Sequence, residues 1–181
     1  MNDCAFCLIV AGAAPATMIY SDDAVCAFLD IRPITRGHTL IVPKVHATEL
    51  DDLDPDLGAR LFRTGHRLAR ALRVSGLASD GANLILNDGT AAFQTVGHVH
   101  LHVVPRKHGD KLAFARGFLL RRPHEPTSTA AAIRAGLSAL DQAGPQSNTA
   151  GRPAGPEAVA KRDHAGPSAV PPFNTAEGAQ G

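Results

Sequence analysis

Three histidines at alternate positions, His98, His100 and His102, constrain this chain more than any other feature of its sequence. They are separated by aliphatic residues in the stretch Gly97–Val104, which has the sequence GHVHLHVV. Side chains of a β-strand point alternately to its two faces, so the pattern predicts a strand with all three imidazoles on one face. Same-face neighbours on a strand lie roughly 6–7 Å apart. Several imidazoles could therefore contact one small anion such as a phosphate.

The pattern is also compatible with two different roles for these histidines. A half-exposed strand that is merely rich in histidine would have no chemistry of its own. His-x-His on a strand can also build a zinc site, but hydrolases of that type usually add an acidic residue directly behind the pair. Here the first carboxylate after the histidines is Asp110, which disfavours a catalytic metal held by the three imidazoles.

The first hundred or so residues contain five short segments that are typical of β-strands. Turn-forming pairs, Asp22-Asp23 and Asp88-Gly89, adjoin them and favour antiparallel pairing. The predicted strands are Thr17–Ser21, Val25–Asp30, His38–Pro43, Ala82–Asn87 and Gly97–Val104.

The clearest helix lies between the third and fourth of these strands. Asp54 is a favourable N-cap, Pro55 suits the first helical position, and leucines recur at helical spacing up to a stop at Gly76. A short helix is expected after Cys7, and another over Thr129–Ala143. Strands grouped around one long helix, without regular βαβ alternation, predict an α+β fold.

The composition divides the chain at about residue 144. Residues 144–181 are dominated by Ala, Gly and Pro, and their only aromatic residue is Phe173. Such a segment cannot bury enough apolar surface to offset its chain entropy, so we expect a disordered tail. Residues 1–143 are then expected to form one domain, a five-stranded antiparallel sheet with one long and one or two shorter helices.

The charge balance argues against two classes of partner. Lys and Arg number 18 against 17 Asp and Glu, so there is no general electrostatic reason to expect nucleic acid or an anionic membrane. No apolar run reaches the roughly 18 residues that a membrane span needs. The N-terminus lacks the positive region of a signal peptide, and we therefore expect a cytoplasmic protein.

Beyond these patterns, the stretch NDGTAAFQTVGHVHLHVVPRK resembles the signature of the histidine triad family of nucleotide hydrolases and transferases. The segment from Phe28 to His46, FLDIRPITRGHTLIVPKVH, is similar to the family's first half-site, and CAFC near the start is similar to its zinc-bearing branch. The resemblance implies the histidine triad fold and a homodimer. It also implies cleavage at the α-phosphate of a purine nucleoside phosphoramidate or dinucleoside polyphosphate, with release of a nucleoside monophosphate.

The same resemblance implies roles for individual residues. His100 would attack the α-phosphorus and form a nucleotidyl-histidine, a task that suits neutral imidazole. His102 would contact the phosphate, and His98 and His38 would complete the catalytic set. The nucleotide-binding residues implied besides His102 are Asp30 for the ribose hydroxyls, Ile31 for the base, Asn87 for the phosphate region, and Gln94 and Thr95 for phosphate or leaving group.

Cys4 and Cys7 have the spacing of a metal or redox site rather than of a disulfide framework. A closed structural zinc site needs four ligands, and the resemblance supplies the other two as His46 and His98. The zinc would be structural, and no catalytic metal is required. A pair of reduced, metal-free thiols is the alternative. Cys26 lies in an apolar strand and is expected in the core.

Some features depart from the family's pattern. Phe93 stands where relatives usually have a glycine that lets the backbone approach the phosphate, and the chain has no tryptophan, which the phosphoramidase branch often carries near its C-terminus. A cationic run after the histidines would either meet the distal phosphates of a dinucleoside polyphosphate or form a solvated face. It comprises Arg106, Lys107, Lys111, Arg116, Arg121 and Arg122.

Two functions of other classes fit the same residues. One is a nucleotide-sensing protein whose hydrolysis is vestigial. The other is a metallohydrolase that uses the three histidines as ligands, which predicts that a chelator abolishes turnover while the fold survives.

Overall fold

A computed structural model describes residues 4–120 and 124–144 of the chain. Five strands form one antiparallel sheet in the order β1-β2-β3-β5-β4. This confirms the predicted α+β class and the five-stranded antiparallel sheet. The strands are β1 (Met18–Ser21), β2 (Val25–Leu29), β3 (Thr39–Pro43), β4 (Gly81–Leu86) and β5 (Leu101–Arg106).

Four α-helices accompany the sheet in the described part of the chain. Asp54 caps α2 as predicted, because its carboxylate accepts hydrogen bonds from the amides of Asp56 and Leu57. The helices are α1 (Ala5–Val10), α2 (Pro55–Val74), α3 (Lys111–Leu120) and α4 (Pro126–Gln142).

Two of the predicted helices have different bounds in the structure. The first helix does not follow Cys7 but contains it, since Cys4 is the N-cap residue and the turn between the cysteines buries Phe6. Helix α4 begins at Pro126 rather than Thr129, because the Glu125 carboxylate accepts from the amides of Thr127 and Ser128. Helix α3 has no counterpart among the predicted elements, and it buries none of its own side chains.

The predicted strand Gly97–Val104 is wrong at its start. Strand β5 begins only at Leu101, where pairing with β3 and β4 starts. Before it, the His98 amide donates to the nearby carbonyl of Val96, and the Val99 amide donates to Ala47 outside the sheet. The predicted alternation nevertheless persists, because Val99, Leu101 and Val103 all belong to one buried cluster.

That cluster lies between the sheet and helices α2 and α4. The close approach of α2 depends on Gly65, where a β-carbon would lie 2.7 Å from Cδ2 of Leu101. The opposite face of the sheet carries a smaller apolar cluster under α1, made of Phe6, Cys26, Phe28, Leu40 and Val42. Cys26 is thus a core residue, as expected.

Helix α3 packs against the loop between β2 and β3. A β-carbon at Gly117 would collide with the backbone carbonyl oxygen of Ile34, so only glycine permits this contact.

The predicted tail, residues 144–181, lies outside the described residues apart from Gly144. Among the described helices, none combines the length and apolar character that a bilayer span requires.

Candidate functional site

The face of the sheet under α1 carries a row of imidazoles. His38 and His102 have ring centroids 5.1 Å apart, and His102 and His100 have centroids 4.8 Å apart. The Phe6 ring continues the row by contacting both His100 and His98, and His98 contacts His46 at 5.1 Å. The three alternating histidines therefore share one face, although only His102 lies within β5.

Two cysteines and two histidines form a cluster at one end of this row. The Nδ1 atom of His98 lies 3.4 Å from Sγ of Cys4, 3.6 Å from Sγ of Cys7 and 3.3 Å from Nδ1 of His46. Sγ of Cys7 lies 3.3 Å from Nδ1 of His46. We call these four residues the Cys2His2 cluster.

The donor atoms of the Cys2His2 cluster fit a zinc ion. Tetrahedral coordination, with Zn–S of about 2.3 Å and Zn–N of about 2.0–2.1 Å, separates the ligand atoms by roughly 3.3–3.6 Å where nitrogen is involved. The four measured separations lie in this range. Nε2 of His98 donates to the Pro43 carbonyl, which leaves Nδ1 unprotonated and directed at the cluster.

The ionisation of the cluster agrees with that assignment. Burial lowers the pKa of His98 despite the hydrogen bond to Pro43, so its imidazole is neutral, as a metal ligand must be. Burial, assisted by Cys4, raises the pKa of the Cys7 thiol. Without a metal that thiol keeps its proton, and metal binding would have to release it.

The ring of His100 is fixed in one tautomer. Its Nδ1 lies 2.7 Å from the backbone carbonyl oxygen of His98, and because a carbonyl only accepts, Nδ1 carries the proton. The lone pair is then on Nε2. Burial lowers the pKa of His100, against the opposing effects of the His98 carbonyl and the Asp30 carboxylate. The site thus presents a neutral imidazole with a free Nε2 lone pair at neutral pH.

His38 fixes the tautomer of His102. The amide of Ile34 donates to Nδ1 of His38, so the His38 proton is on Nε2, which lies 2.9 Å from Nδ1 of His102. Nε2 of His102 then carries the proton of that ring. Nδ1 of His38 also lies 3.3 Å from Oδ2 of Asp30, but that contact attracts only if Nδ1 carries a proton, whereas a backbone amide always donates. We therefore assign Nδ1 as an acceptor.

Asp30 and Ile31 lie at the end of β2, beside the row of histidines. The Asp30 carboxylate accepts from the amide of Arg32 at 2.7 Å, and Ile31 is 80% exposed. Both line a cavity of about 220 Å³ that reaches the start of α4 at Glu125. The polar and apolar groups expected to meet the ribose and the base thus share one cavity.

The three remaining polar residues are placed differently from one another. Asn87 directly follows β4, whose last residue, Leu86, pairs with Leu101. Thr95 is exposed. Gln94 has both amide hydrogens directed to backbone carbonyls, those of Thr48 at 2.7 Å and Val96 at 3.0 Å. In this conformation the Gln94 side chain stabilises its own loop. It could donate to a phosphate only if the side chain rearranged and gave up one of these hydrogen bonds.

The three histidines do not converge on one metal site. His98 belongs to the Cys2His2 cluster, and His102 lies with Asp30 and His38 in a second group of potential ligand atoms. His100 is in neither of the two groups found among the described residues. A metal in the second group would have to displace the proton shared by His38 and His102. The arrangement therefore favours a hydrogen-bonded relay there.

The cationic run is in part structural. Arg106 pairs with Asp110 at 2.6 Å, donates to Asn83, and lies over the Phe114 ring at 3.7 Å, so it anchors α3. The exposed members of the run are Lys107, Lys111 and Arg116, and Arg121 and Arg122 lie outside the described residues.

Phe93 is the residue that stands where the family's pattern has glycine. Its side chain is 84% exposed, and its backbone adopts a left-handed conformation with φ of 66°. The backbone at this position therefore keeps a conformation that favours glycine, although the side chain is large.

Sequence reasoning missed two contributors to the site. One is Phe6, which lies inside the Cys-x-x-Cys stretch and touches two of the histidines; its position between the cysteines was the available signal. The other is the backbone, since the carbonyls of His98 and Pro43 and the amide of Ile34 set the ring tautomers. No side-chain pattern could reveal those groups.

Known proteins resemble this chain in sequence and in fold. The profile of the HIT domain family matches residues 11–109. A solved structure of a Zn-bound histidine triad family protein from Mycobacterium smegmatis is 50% identical, with a TM-score of 0.72, and the match covers 78% of this chain and 97% of that one.

Two curated relatives have names that include an activity. Adenylylsulfatase HINT3 of Arabidopsis thaliana is 39% identical over 111 residues, covering 61% of this chain and 56% of the relative. Adenosine 5′-monophosphoramidase HNT1 of Saccharomyces cerevisiae is 35% identical over 104 residues, covering 58% and 63% respectively.

Proposed function

The chain belongs to the HIT domain family, and on that premise we propose that it hydrolyses purine nucleotides at the α-phosphate. The substrate would be a nucleoside phosphoramidate or a dinucleoside polyphosphate, and the product a nucleoside monophosphate. The proposal rests on the hydrogen bond of 2.7 Å between Nδ1 of His100 and the His98 carbonyl. That bond leaves a neutral imidazole with its Nε2 lone pair available for attack.

In the first step Nε2 of His100 would form a bond to the α-phosphorus, and the bond to the leaving group would break. The leaving group departs with the electron pair and takes up a proton from solvent. Because Nδ1–H donates to a carbonyl, the positive charge that develops on the ring is stabilised. In the second step water attacks the phosphorus, the P–N bond breaks, and His100 is regenerated with the monophosphate released.

The neighbouring groups suit the charges of that reaction. The proton on Nε2 of His102 can be donated to a phosphate oxygen, where negative charge is concentrated. The Asp30 carboxylate has acceptor sites for both ribose hydroxyls, and exposed Ile31 offers apolar surface to the base. The contacts to phosphate or leaving group would be completed by Asn87, Thr95 and, after rearrangement, Gln94.

The named activities of the relatives support this substrate class. They concern adenylyl sulfate and an adenosine 5′-monophosphoramidate, and in both compounds an adenosine 5′-phosphate is joined to a leaving group. The same site could bind such nucleotides without turning them over, which is the sensing alternative.

We assign the Cys2His2 cluster a structural zinc ion, held by Cys4, Cys7, His46 and His98. Bound there, zinc would tie α1 to the segment before β5. The two residues that act on the nucleotide, His100 and His102, are not part of this ligand set, so the proposed reaction needs no metal.

We also propose that the chain forms a homodimer. Strand β4 is an edge of the sheet and all of its residues are partly exposed, with apolar side chains at Leu84, Ile85 and Leu86. An apolar edge of this kind is a natural surface for pairing with a second copy. Light scattering should give twice the chain mass of 18.9 kDa. A measured mass equal to that of one chain would contradict the proposal.

The function is tested by measuring AMP release from adenosine phosphoramidate and from diadenosine tetraphosphate in excess chelator, with His100→Ala as the blank. Turnover that survives chelation and is absent in the variant is the expected result, and the faster substrate identifies the substrate class. Circular dichroism in parallel shows whether the fold survives the chelator. Tight nucleotide binding with no AMP release would instead favour a sensor, and loss of turnover with an intact fold would favour a metal-dependent enzyme.

A further inference from the structure

We propose that Phe6 is a positioning residue that makes the orientation of His100 depend on the metal state of the Cys2His2 cluster. The inference deepens the proposed function and rests on the proposed role of His100. Phe6 would act through contact with the imidazole and would not touch the substrate.

Phe6 is placed so that one side chain contacts both a cluster ligand and the nucleophile. It lies between the two cysteines in sequence, and it is only 8% exposed. Its ring meets the imidazole of His100 edge-to-face, with centroids 5.2 Å apart at 73°, and that of His98 at 5.9 Å and 72°. Edge-to-face aromatic contacts of this kind are directional.

The ring of His100 needs lateral support. Its hydrogen bond to the His98 carbonyl holds one atom of the ring, and a ring held at one atom can still tilt about that bond. The ring also makes aromatic contacts with Phe6 and with His102, whose centroid lies 4.8 Å away. We expect loss of the Phe6 contact to let the ring tilt, and displacing a nucleophile by about 1 Å can slow catalysis about a hundredfold.

Helix α1, which carries Phe6, has little stability of its own. It spans six residues, and its N-cap residue, Cys4, makes no capping hydrogen bond through its side chain. Helices this short are not stable alone in water. Metal bonds to Cys4 and Cys7 would fix both ends of the turn that carries Phe6. When the metal leaves, that turn keeps its apolar contacts and the backbone hydrogen bond from the Leu8 amide to the Cys4 carbonyl, but it loses both side-chain anchors, and Phe6 becomes less well placed.

The test compares the wild type with Phe6→Leu, which keeps an apolar side chain but removes the flat ring. Ile9→Ala is the matched control, because Ile9 lies on the same helix and packs against the same apolar cluster. All three proteins are loaded with zinc and then treated with chelator. Ring ¹⁵N NMR follows the tautomer of His100 and the solvent exchange of its Nδ1–H, and thermal unfolding reports the fold.

In the zinc-loaded wild type we expect one tautomer with a slowly exchanging Nδ1–H, and at least tenfold faster exchange after chelation. Phe6→Leu should exchange fast even with zinc bound, while zinc-loaded Ile9→Ala should resemble the wild type although it unfolds at a lower temperature. Turnover of Phe6→Leu should show reduced kcat with little change in KM.

Wild-type exchange in zinc-loaded Phe6→Leu would overturn the inference, as would equal exchange rates in the wild type before and after chelation. The NMR measurement needs no turnover, so its outcome is separate from that of the proposed hydrolysis. A zinc-dependent exchange rate in a protein that releases no AMP would refute the hydrolysis and leave the coupling through Phe6 intact.

Discussion

His98 contacts His100 through its main chain and Cys4 through its side chain. Its backbone carbonyl oxygen lies 2.7 Å from Nδ1 of His100, and its ring Nδ1 lies 3.4 Å from Sγ of Cys4. The ring belongs to the Cys2His2 cluster, whereas the main chain sets the tautomer of the next histidine in the pattern. The proposed metal site and the proposed nucleophile therefore both contact His98, although they share no side-chain atom.

Cys4→Ser should abolish stoichiometric zinc binding, because it removes one of four ligands and leaves an incomplete site. The wild type, purified from zinc-supplemented medium, should carry about one zinc per chain by elemental analysis, and thermal unfolding should show a lower melting temperature for the variant. Cys26→Ala is the matched control, since that buried thiol lies outside the cluster. It should lose stability but keep its zinc. A metal-free wild type would contradict the assignment.

Replacing His38 should impair catalysis without preventing nucleotide binding. In His38→Ala, Nδ1 of His102 loses its hydrogen bond from Nε2 of His38, so the ring can hold its proton on Nδ1 and lose the proposed donation from Nε2 to the phosphate. We expect kcat to fall about 10²–10³-fold, the size of a lost phosphate or oxyanion donor, with a much smaller change in KM. Steady-state kinetics on the preferred substrate measure both.

Two further variants make the His38 result interpretable. His38→Gln can still donate from its amide to His102 and should recover part of the lost kcat. His66→Ala removes an exposed histidine on α2 and should leave kcat unchanged. If His38→Ala, shown to be folded by circular dichroism, kept full activity, the relay from His38 to His102 would have no role in the reaction.

Asp22 should make the fold sensitive to acid. Burial alone would raise its pKa, but hydrogen bonds from the Val25 and Ala24 amides, Tyr20 and Arg60 outweigh burial and hold the pKa well below its usual 3.8. Because the folded-state pKa is the lower one, the stabilisation is complete above the unfolded-state value and is lost as the pH falls below it. The free energy of unfolding, measured by urea titration between pH 7 and pH 2, should lose the contribution of Asp22 only as the pH falls below the usual 3.8.

The matched pair Asp22→Asn and Asp23→Asn isolates that effect. Asp22→Asn should cost about 1–3 kcal/mol at pH 7, the cost of weakening charged hydrogen bonds, and should flatten the acid decline. Asp23 contacts the same Arg60, but its side chain is 83% exposed, so Asp23→Asn should change stability by no more than about 0.5 kcal/mol. Equal effects of the two substitutions would show that Asp22 has no special role.

Phe93→Gly should stabilise the protein. A non-glycine residue in the left-handed region costs about 1–2 kcal/mol, and the 84% exposed ring contributes little burial in return. Glycine also increases the entropy of the unfolded chain, which offsets part of this stabilisation. We therefore expect the free energy of unfolding, measured by urea titration, to increase by about 0.5–1 kcal/mol. Ala92→Gly, next to it but not at positive φ, should be neutral or destabilising. Destabilisation by Phe93→Gly would mean that the ring has packing contacts, for example with a second copy.

Much of this protein could be predicted from its sequence, because the information was local. Short β-type runs beside turn residues identified the five strands within a few positions, the histidine strand also by its alternation, and Asp54-Pro55 identified the start of α2. The same alternation predicted that His98, His100 and His102 lie on one face. It holds also for the residues before β5, because Val99 and Leu101 are buried in the core and the histidines therefore point to the opposite side.

Tertiary structure decided what no local pattern contains. The amides before β5 donate to the carbonyls of Ala47 and Val96 in loops, so the strand begins only at Leu101. The fold also brings His46 and His98 next to Cys4 and Cys7, which are 39 to 94 residues away in the sequence. It also placed three chemically identical histidines in different surroundings. The physical reason is that an imidazole's role depends on which nitrogen carries the proton, and here backbone groups and a distant histidine determine that.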